Sequence, residues 1–134
     1  MDTKILTFQG RSGIVYAENY YLLSVNFYLK MSLLSILGLG NGKLKEALRQ
    51  GAIVIDIRTA AEFDRGKVRD SINIPVDRIN INLKRIVQMK RPIIICSSSD
   101  SENERVIDVL KANGVKEIYN GGNWTKLWRM MRSK

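Results

Sequence analysis

The spacing of hydrophobic positions changes repeatedly from residue 43 to the end of the chain, and these changes predict alternating helices and strands. Continuous apolar runs at 52–57 and 93–95 are rich in β-branched residues, as is typical of strands buried on both faces. Stretches with apolar residues three and four positions apart predict the helices between them. The predicted helices cover 43–50, 60–66, 76–89, 101–113 and 125–131, and the predicted strands cover 52–57, 71–74, 93–95 and 117–119.

Local signals support these boundaries. Gly51 and Gly114 follow predicted helices, where glycine commonly ends a helix. Thr59 and Glu62 have the spacing of a capping box at the start of a short helix. A polar turn is predicted at 120–123, before the last helix. Strands that alternate with helices imply right-handed crossovers, so we predict an α/β fold with a central parallel sheet and helices on both faces.

The first part of the chain differs in composition from the rest. Four of the five tyrosines lie in the first 30 residues, and the stretch 14–39 contains only two charged residues. This stretch is long enough for a membrane span, but the asparagines and serines within it argue against one. We predict that residues 31–134 form the domain. Residues 1–30 are either an amphipathic arm that packs on the domain or a partner, or an upstream extension, in which case Met31 is the natural start.

Composition excludes several kinds of chemistry. The chain has no histidine, so a Ser-His-Asp triad, a Cys-His pair and histidine-containing zinc sites are excluded. It has one cysteine, Cys96, so an intrachain disulfide and a CxxC site are excluded as well. No metal site and no cofactor are predicted. Nucleophilic chemistry would have to use Cys96 without help from an imidazole.

The chain is basic, with 22 Lys and Arg against 13 Asp and Glu and a formal net charge of +9. This charge favours anionic partners without identifying one. The basic clusters near residue 85 and at the C-terminus are typical of solvated helix faces. No nucleic-acid-binding motif accompanies them, so no nucleic-acid partner is predicted.

Cys96 occupies a position that suits chemistry. It follows a predicted buried strand and precedes a predicted helix. In an open parallel sheet, ligands bind beyond the carboxyl ends of the strands, where helix N-termini direct unpaired N–H groups and a positive dipole end at the loop. Such a position stabilises a thiolate, which would make Cys96 a nucleophile. The alternative is that Cys96 is a small hydrophobic residue at the end of a core strand.

An ordered series of short motifs surrounds Cys96. The motifs are VIDIRTAAEF at 54–63, GKV at 66–68, SINIP at 71–75, IIIC at 93–96, VLKANG at 109–114 and YNGGNW at 119–124. Each motif alone is weakly specific, but in their order and spacing they resemble the rhodanese family of sulfurtransferases from about Gly38 to the end of the chain. The resemblance implies the rhodanese-like fold for this region.

The resemblance also implies a function for Cys96. The family cysteine at this position accepts a sulfane sulfur from thiosulfate or another donor, becomes a persulfide, and passes the sulfur to a thiol or to cyanide. We therefore expect a small sulfur donor or a protein persulfide, a thiol acceptor and a cytoplasmic location. The alternative is a catalytically degenerate rhodanese that serves as a binding or regulatory module.

Five other motif residues are expected to support the structure. Asp56 and Arg58 flank the end of the first strand and could tie loops there through charge-assisted hydrogen bonds. Gly121 and Gly122 permit a positive φ or a close backbone approach. They precede Trp124, whose indole is expected to pack in the core.

The loop after Cys96 departs from the family pattern. Family loops carry glycine and one or two arginines, whereas this loop has no Arg, Lys or Gly. Its hydroxyls could donate hydrogen bonds to a persulfide or a small anion, while its carboxylates oppose a thiolate and repel a divalent anion. The predicted substrate-contacting residues are Ser97, Ser98, Ser99, Asp100, Ser101 and Glu102.

The acidic residues of this loop have two interpretations. Ser99 with Glu102, and Ser101 with Glu104, have capping-box spacing, and acids favour a helix N-terminus. The two interpretations are compatible, because the same acidic residues can cap the helix and repel an anion. Rhodanese-fold phosphatases and arsenate reductases have arginine six positions after the cysteine, where Glu102 stands, so that class is set aside. An active sulfurtransferase and a binding module both stay open.

Overall fold

The computed structural model describes residues 22, 24–30 and 41–133. The chain divides into two compact units, Met1–Asn41 and Gly42–Lys134. In the first unit, residues 24–30 are helical, and the side chains of residues 22 and 24–30 are exposed. Most of the predicted arm, and Met31, lie outside the described residues, so the predicted domain boundary stays a prediction. No helix within the described ranges is long and apolar enough to cross a membrane.

The second unit alternates helices and strands, as the sequence predicts. At the capping box, the Thr59 hydroxyl accepts from the Glu62 N–H at 3.3 Å, and the Glu62 carboxylate accepts from the Thr59 N–H at 3.1 Å. The elements are α1 (Gly42–Arg49), β1 (Ile53–Asp56), α2 (Ala60–Arg65), β2 (Ile72–Asn73), a 3-10 helix (Val76–Arg78), α3 (Ile79–Val87), β3 (Ile93–Ser97), α4 (Asp100–Ala112), β4 (Ile118–Asn123) and α5 (Trp124–Arg132).

The four strands form one parallel sheet in the order β2-β1-β3-β4. The two central strands pair Ile53 with Ile93 and Asp56 with Cys96. The predicted α/β fold with a central parallel sheet is therefore confirmed. Because parallel strands end at the same edge of the sheet, Asp56 and Cys96 are neighbours at the edge where such sheets bind ligands.

Two apolar clusters cover the two faces of the sheet, because successive side chains of a strand point to opposite faces. Ile93 and Ile95 of β3 belong to the first cluster, which α3 and α4 complete with residues such as Leu110. Ile94 and Cys96 belong to the second cluster, which α1 and α5 complete. Helices therefore lie on both faces, and the Cys96 side chain faces the layer of α1 and α5.

Strand β4 is longer than predicted, and the predicted turn at 120–123 is wrong. Ile95 pairs with Asn120 and Ser97 pairs with Asn123, so three steps along β4 match two along β3. The strand therefore contains a bulge. Its polar residues suggested a turn, but side-chain hydrogen bonds from α4 satisfy them within the strand.

Candidate active site

Cys96 lies at the carboxyl end of β3, and its side chain is fully buried. Its carbonyl oxygen accepts from the Ile57 N–H at 3.0 Å, which joins β3 to the segment that follows β1. The thiol belongs to the second cluster together with Val68 and Leu127. The helix α4 begins at Asp100, so Cys96 stands between a buried strand and a helix N-terminus.

The surroundings of Cys96 favour the neutral thiol. Its pKa is raised to about 12, first because burial penalises the thiolate and second because the Asp56 carboxylate repels it, while the Arg58 guanidinium lowers the pKa. The expectation of a thiolate stabilised by the helix N-terminus is therefore not met in this closed conformation. Sequence reasoning assigned the opposing charge to the acidic loop, and missed Asp56. The available signal was that Asp56 and Cys96 end neighbouring strands.

The serines after Cys96 hydrogen-bond with one another and with the start of α4. The Ser97 hydroxyl donates to the Ser99 carbonyl at 2.9 Å and accepts from the Ser99 N–H at 2.9 Å. Ser99 caps α4, because its hydroxyl accepts from the Glu102 N–H at 3.4 Å, and it lies 3.0 Å from the Ser101 hydroxyl. These hydroxyls shape the loop and begin the helix.

The six residues that the sequence predicts to contact a substrate differ in their exposure to solvent. The Ser97 hydroxyl is buried and its proton is donated within the loop, whereas Ser99 and Glu102 are half-buried. The remaining three present their side chains to solvent at the carboxyl edge of the sheet. Contacts of the whole set with a substrate stay a prediction. The exposed members are Ser98, Asp100 and Ser101.

The charges of the loop find no cationic partner. Among residues 41–133, no ion pair includes Asp100, Glu102 or Glu104. The Arg105 side chain lies close by, but its Nε donates to the Ser101 carbonyl at 3.4 Å. No cluster of His, Cys, Asp and Glu in the described part of the chain could hold a metal ion. The candidate site is thus a buried thiol beneath an acidic rim.

An asparagine that sequence reasoning missed fastens α4 to β4. Asn103 is fully buried, and its Nδ2 donates to the Asn120 Oδ1 at 3.0 Å and to the Gly122 carbonyl at 3.1 Å. The same Asn120 oxygen accepts from the Gly122 N–H at 2.8 Å. The signal was a polar residue three and four positions before Val106 and Ile107, on the apolar face of the predicted helix. The bonds fix the bulge of β4 against the helix that follows Cys96.

Two glycines allow β4 to pass this close to the core. A Cβ atom at Gly121 would lie 2.7 Å from the Ile94 Cγ2 and 3.0 Å from the Ile95 carbonyl oxygen, so a larger residue requires movement of the sheet. Gly122 has a φ of +67°, a conformation that L side chains rarely adopt. The pair therefore serves the close packing beside Cys96.

Arg58 joins β1 to the segments that follow it. Its Nε and Nη2 donate to the Asp56 carboxylate at 2.9 and 2.6 Å, and Nη2 also donates to the Gly66 carbonyl at 2.7 Å. The guanidinium carbon lies 4.1 Å from the centre of the Trp124 ring. The side chains of Arg58 and Asp56 are only 5% and 0% exposed, so each charge offsets the cost of burying the other. Trp124 is half-buried and covers the pair.

Comparison with known proteins agrees with this geometry. Residues 41–125 match the family model described as Rhodanese-like domain. The chain belongs to this family. Its rhodanese-like domain is also similar to the uncharacterized protein YqhL of Bacillus subtilis (strain 168), with 29% identity over 87 residues, covering 63% of this chain and 68% of YqhL.

Solved rhodanese structures share the fold. A rhodanese-like domain from Anabaena sp. has a TM-score of 0.54 and 12% identity, covering 60% of this chain and 93% of that one. A structure described as a rhodanese with anions, from E. coli, has a TM-score of 0.51 and 18% identity, covering 56% of this chain and 89% of that one. Identities this low show the fold alone, so the function is argued from the site.

Proposed function

We propose that this rhodanese-like protein is a sulfurtransferase in which Cys96 carries a sulfane sulfur. The observation that supports it is the position of Cys96, which is the next-to-last residue of a central strand in a rhodanese-like domain and precedes the loop that leads into α4. The chain has no other cysteine, so no other side chain could hold a persulfide.

The proposed reaction is an exchange between sulfur atoms. The Cys96 thiolate attacks the outer sulfur of a donor persulfide, R–S–SH, and a new S–S bond forms as the donor S–S bond breaks. The donor leaves as a thiolate and takes up the proton that Cys96 released. A thiol or cyanide then attacks the outer sulfur and restores the Cys96 thiolate, so the cycle needs no external oxidant or reductant.

The charges of the loop favour one class of donor. Asp100 and Glu102 stand in the first turn of α4, and no Lys or Arg occurs from 97 to 104. Thiosulfate carries two negative charges, which this rim repels. A persulfide without further negative charge, either small or held on a protein, avoids this repulsion.

The buried thiol requires movement before transfer. With its pKa raised to about 12 by burial and by Asp56, the thiol is protonated at pH 7 in this conformation. A donor also needs access to a side chain that is 0% exposed. Transfer therefore requires a conformation in which the Cys96 thiol is exposed to the donor and to water.

The same burial favours a second candidate function. A fully buried, neutral cysteine behaves as a small core residue, which suits a degenerate rhodanese that acts as a binding or regulatory module. If the protein is a binding module, Cys96→Ser should leave its binding or regulatory function unchanged. If it is a sulfurtransferase, the same substitution should impair its function.

Steady-state transfer from a small organic persulfide to cyanide tests the proposal. We expect turnover by the wild-type chain and none by Cys96→Ser, with equal thermal midpoints for the two proteins. Turnover that survives in Cys96→Ser would overturn the proposed mechanism. Absence of turnover in both proteins, with Cys96 intact, would favour the binding module.

A further inference from the structure

The layer formed by α1 and α5 is strongly basic. The two helices carry six cationic side chains and one carboxylate, Glu46. That carboxylate already accepts hydrogen bonds from Arg49 at 2.6 Å and Gln50 at 2.9 Å. Among residues 41–133, no other cation of this layer forms an ion pair. These five cations are Lys43, Lys45, Lys126, Arg129 and Arg132.

An apolar groove lies between the same two helices. Its volume is about 240 Å³, and it is lined by Lys45 and Leu48 of α1 and by Met130, Met131 and Ser133 at the end of α5. The leucine and both methionines are half-buried, so part of their apolar surface stays in contact with water. Methionine side chains adapt to the shape of what they bind, which is why they recur at surfaces that receive partner helices.

The cations stand on the rim of this groove. Lys45 lines it directly. On α5, residues four positions apart are neighbours on the helix surface, so Lys126 lies beside the lining residue Met130, and Arg129 follows one turn after Lys126. Both cationic side chains are exposed. The groove therefore combines an apolar floor with a cationic rim on each side.

We propose that this groove, lined by Lys45, Leu48, Met130, Met131 and Ser133 and flanked by the exposed cations of α5, is the docking site for an acidic amphipathic helix of a partner protein. The apolar residues of such a helix would enter the groove, and its carboxylates would meet Lys45, Lys126 and Arg129. The proposal does not depend on sulfur transfer. It identifies the binding surface on the face of the sheet to which the Cys96 side chain also points.

The groove distinguishes a helix from other anionic partners. An anionic lipid surface needs exposed cations but no concave apolar floor, because headgroups meet it as a plane. A second copy of this chain would have to offer an acidic face, and α4 has one in Asp100, Glu104 and Asp108. The apolar face of α4, however, is already buried against the sheet through Val106 and Leu110.

Fluorescence anisotropy with the full chain tests this proposal. The probe is a labelled synthetic helix of about 18 residues, long enough to be partly helical in water, with leucines on one face and glutamates on the other. Two control peptides have the same composition in scrambled order, or lysine in place of every glutamate. We expect binding of the amphipathic acidic peptide at least tenfold tighter than that of either control.

Charge reversal on the groove rim provides the matched variant. The double substitution Lys126→Glu with Arg129→Glu should weaken peptide binding at least tenfold. The control, Lys84→Glu with Arg85→Glu on α3, changes the net charge equally at two exposed positions away from the groove. We expect the control to weaken binding less than threefold, and circular dichroism melts should show that both variants are folded.

Four results would overturn the proposal. Equal weakening by the two double variants, or equal binding of the scrambled peptide, would reduce the effect to net charge. Tighter, rim-dependent binding to phosphatidylserine vesicles than to the peptide would assign the surface to a membrane. Self-association in sedimentation velocity that Lys126→Glu with Arg129→Glu abolishes would assign it to a second copy. Peptide binding is measured without any sulfur donor, so its result does not depend on whether the protein transfers sulfur.

Discussion

Two segments follow strands at the same edge of the sheet, and they differ in whether their charged side chains are buried and paired. After β1, the buried Asp56 and Arg58 form a bidentate ion pair that Trp124 covers. After Cys96, residues 97–104 hydrogen-bond mainly through their own serines, and their carboxylates form no ion pair within residues 41–133. We call these the Arg58 segment and the Cys96 loop.

The difference shows which segment carries stability and which can move. In the Arg58 segment, the loss of one charge would leave the other buried and unpaired, which is costly. The Cys96 loop holds no buried charge, and Ser98, Asp100 and Ser101 are exposed. The Cys96 loop can therefore open at lower cost than the Arg58 segment, and opening is what transfer from a buried thiol requires.

The largest expected effect comes from breaking the ion pair of the Arg58 segment. Arg58→Ala leaves the Asp56 carboxylate buried without a partner and should lower the free energy of unfolding by about 3–5 kcal/mol. Urea denaturation followed by circular dichroism measures this. The control is Arg49→Ala, which breaks the exposed pair with Glu46 and should leave the unfolding midpoint almost unchanged. Similar midpoints for the two variants would show that the Arg58 segment is not the stable one.

A smaller loss is expected at Gly121, the glycine of β4 that packs closely against β3. Gly121→Ala places a Cβ atom 2.7 Å from the Ile94 side chain, and overpacking of this kind costs about 1–3 kcal/mol. Gly42→Ala is the control, because nothing lies within 4 Å of its Cβ atom. Thermal melts of the two variants measure the difference, and a Gly121→Ala midpoint equal to that of Gly42→Ala would contradict the close packing.

The next prediction gives the Cys96 loop the cation that it lacks. A carboxylate about 6 Å away repels each charge of thiosulfate by about 0.7 kcal/mol at the dielectric constant of water. Ser101→Arg with Glu102→Ser should therefore raise thiosulfate turnover by about tenfold, or about 1.4 kcal/mol, and added salt should reduce the gain.

Asp108→Arg is the matched control for this variant. It raises the net charge by the same amount at an exposed position further along α4. An equal gain from the control would attribute the effect to overall charge. No gain from Ser101→Arg with Glu102→Ser, while Cys96 still reacts with a neutral alkylating reagent, would mean that a property of the loop other than its charge blocks thiosulfate.

The smallest expected effect links the two segments through the thiol pKa. The Asp56 carboxylate raises the pKa of Cys96 and Arg58 lowers it. Asp56→Asn should therefore lower that pKa, and Arg58→Gln should raise it. The pH dependence of thiolate ultraviolet absorbance measures both, at a temperature where both variants are folded. Shifts in the same direction would contradict the assigned charges.

The fold could be predicted largely because its central strands are continuous apolar runs. Short apolar runs rich in β-branched residues, such as 52–57 and 93–95, are typical of strands buried on both faces of a sheet. The end of β4 could not be predicted in this way, because residues 120–123 are polar and glycine-rich. Their pairing depends on Asn103, which reaches them from α4 across the fold.

The site was predictable in position but not in electrostatics. The order of strand, Cys96 and helix follows from the local pattern. The ionisation of the thiol follows from packing against Val68 and Leu127 and from the register that sets Asp56 beside Cys96. Neither the packing contacts nor the strand register can be predicted from the residues next to Cys96. The influence of the acidic residues that follow Cys96 in the chain was therefore overestimated from the sequence.

The central claim is that Cys96 carries sulfur, and intact-mass spectrometry of the full chain after exposure to an organic persulfide tests it most directly. We predict a mass gain of one sulfur atom that peptide mapping assigns to Cys96, a much smaller gain with thiosulfate, and none in Cys96→Ser. No gain with either donor, in protein whose Cys96 is fully alkylated after denaturation, would contradict the claim.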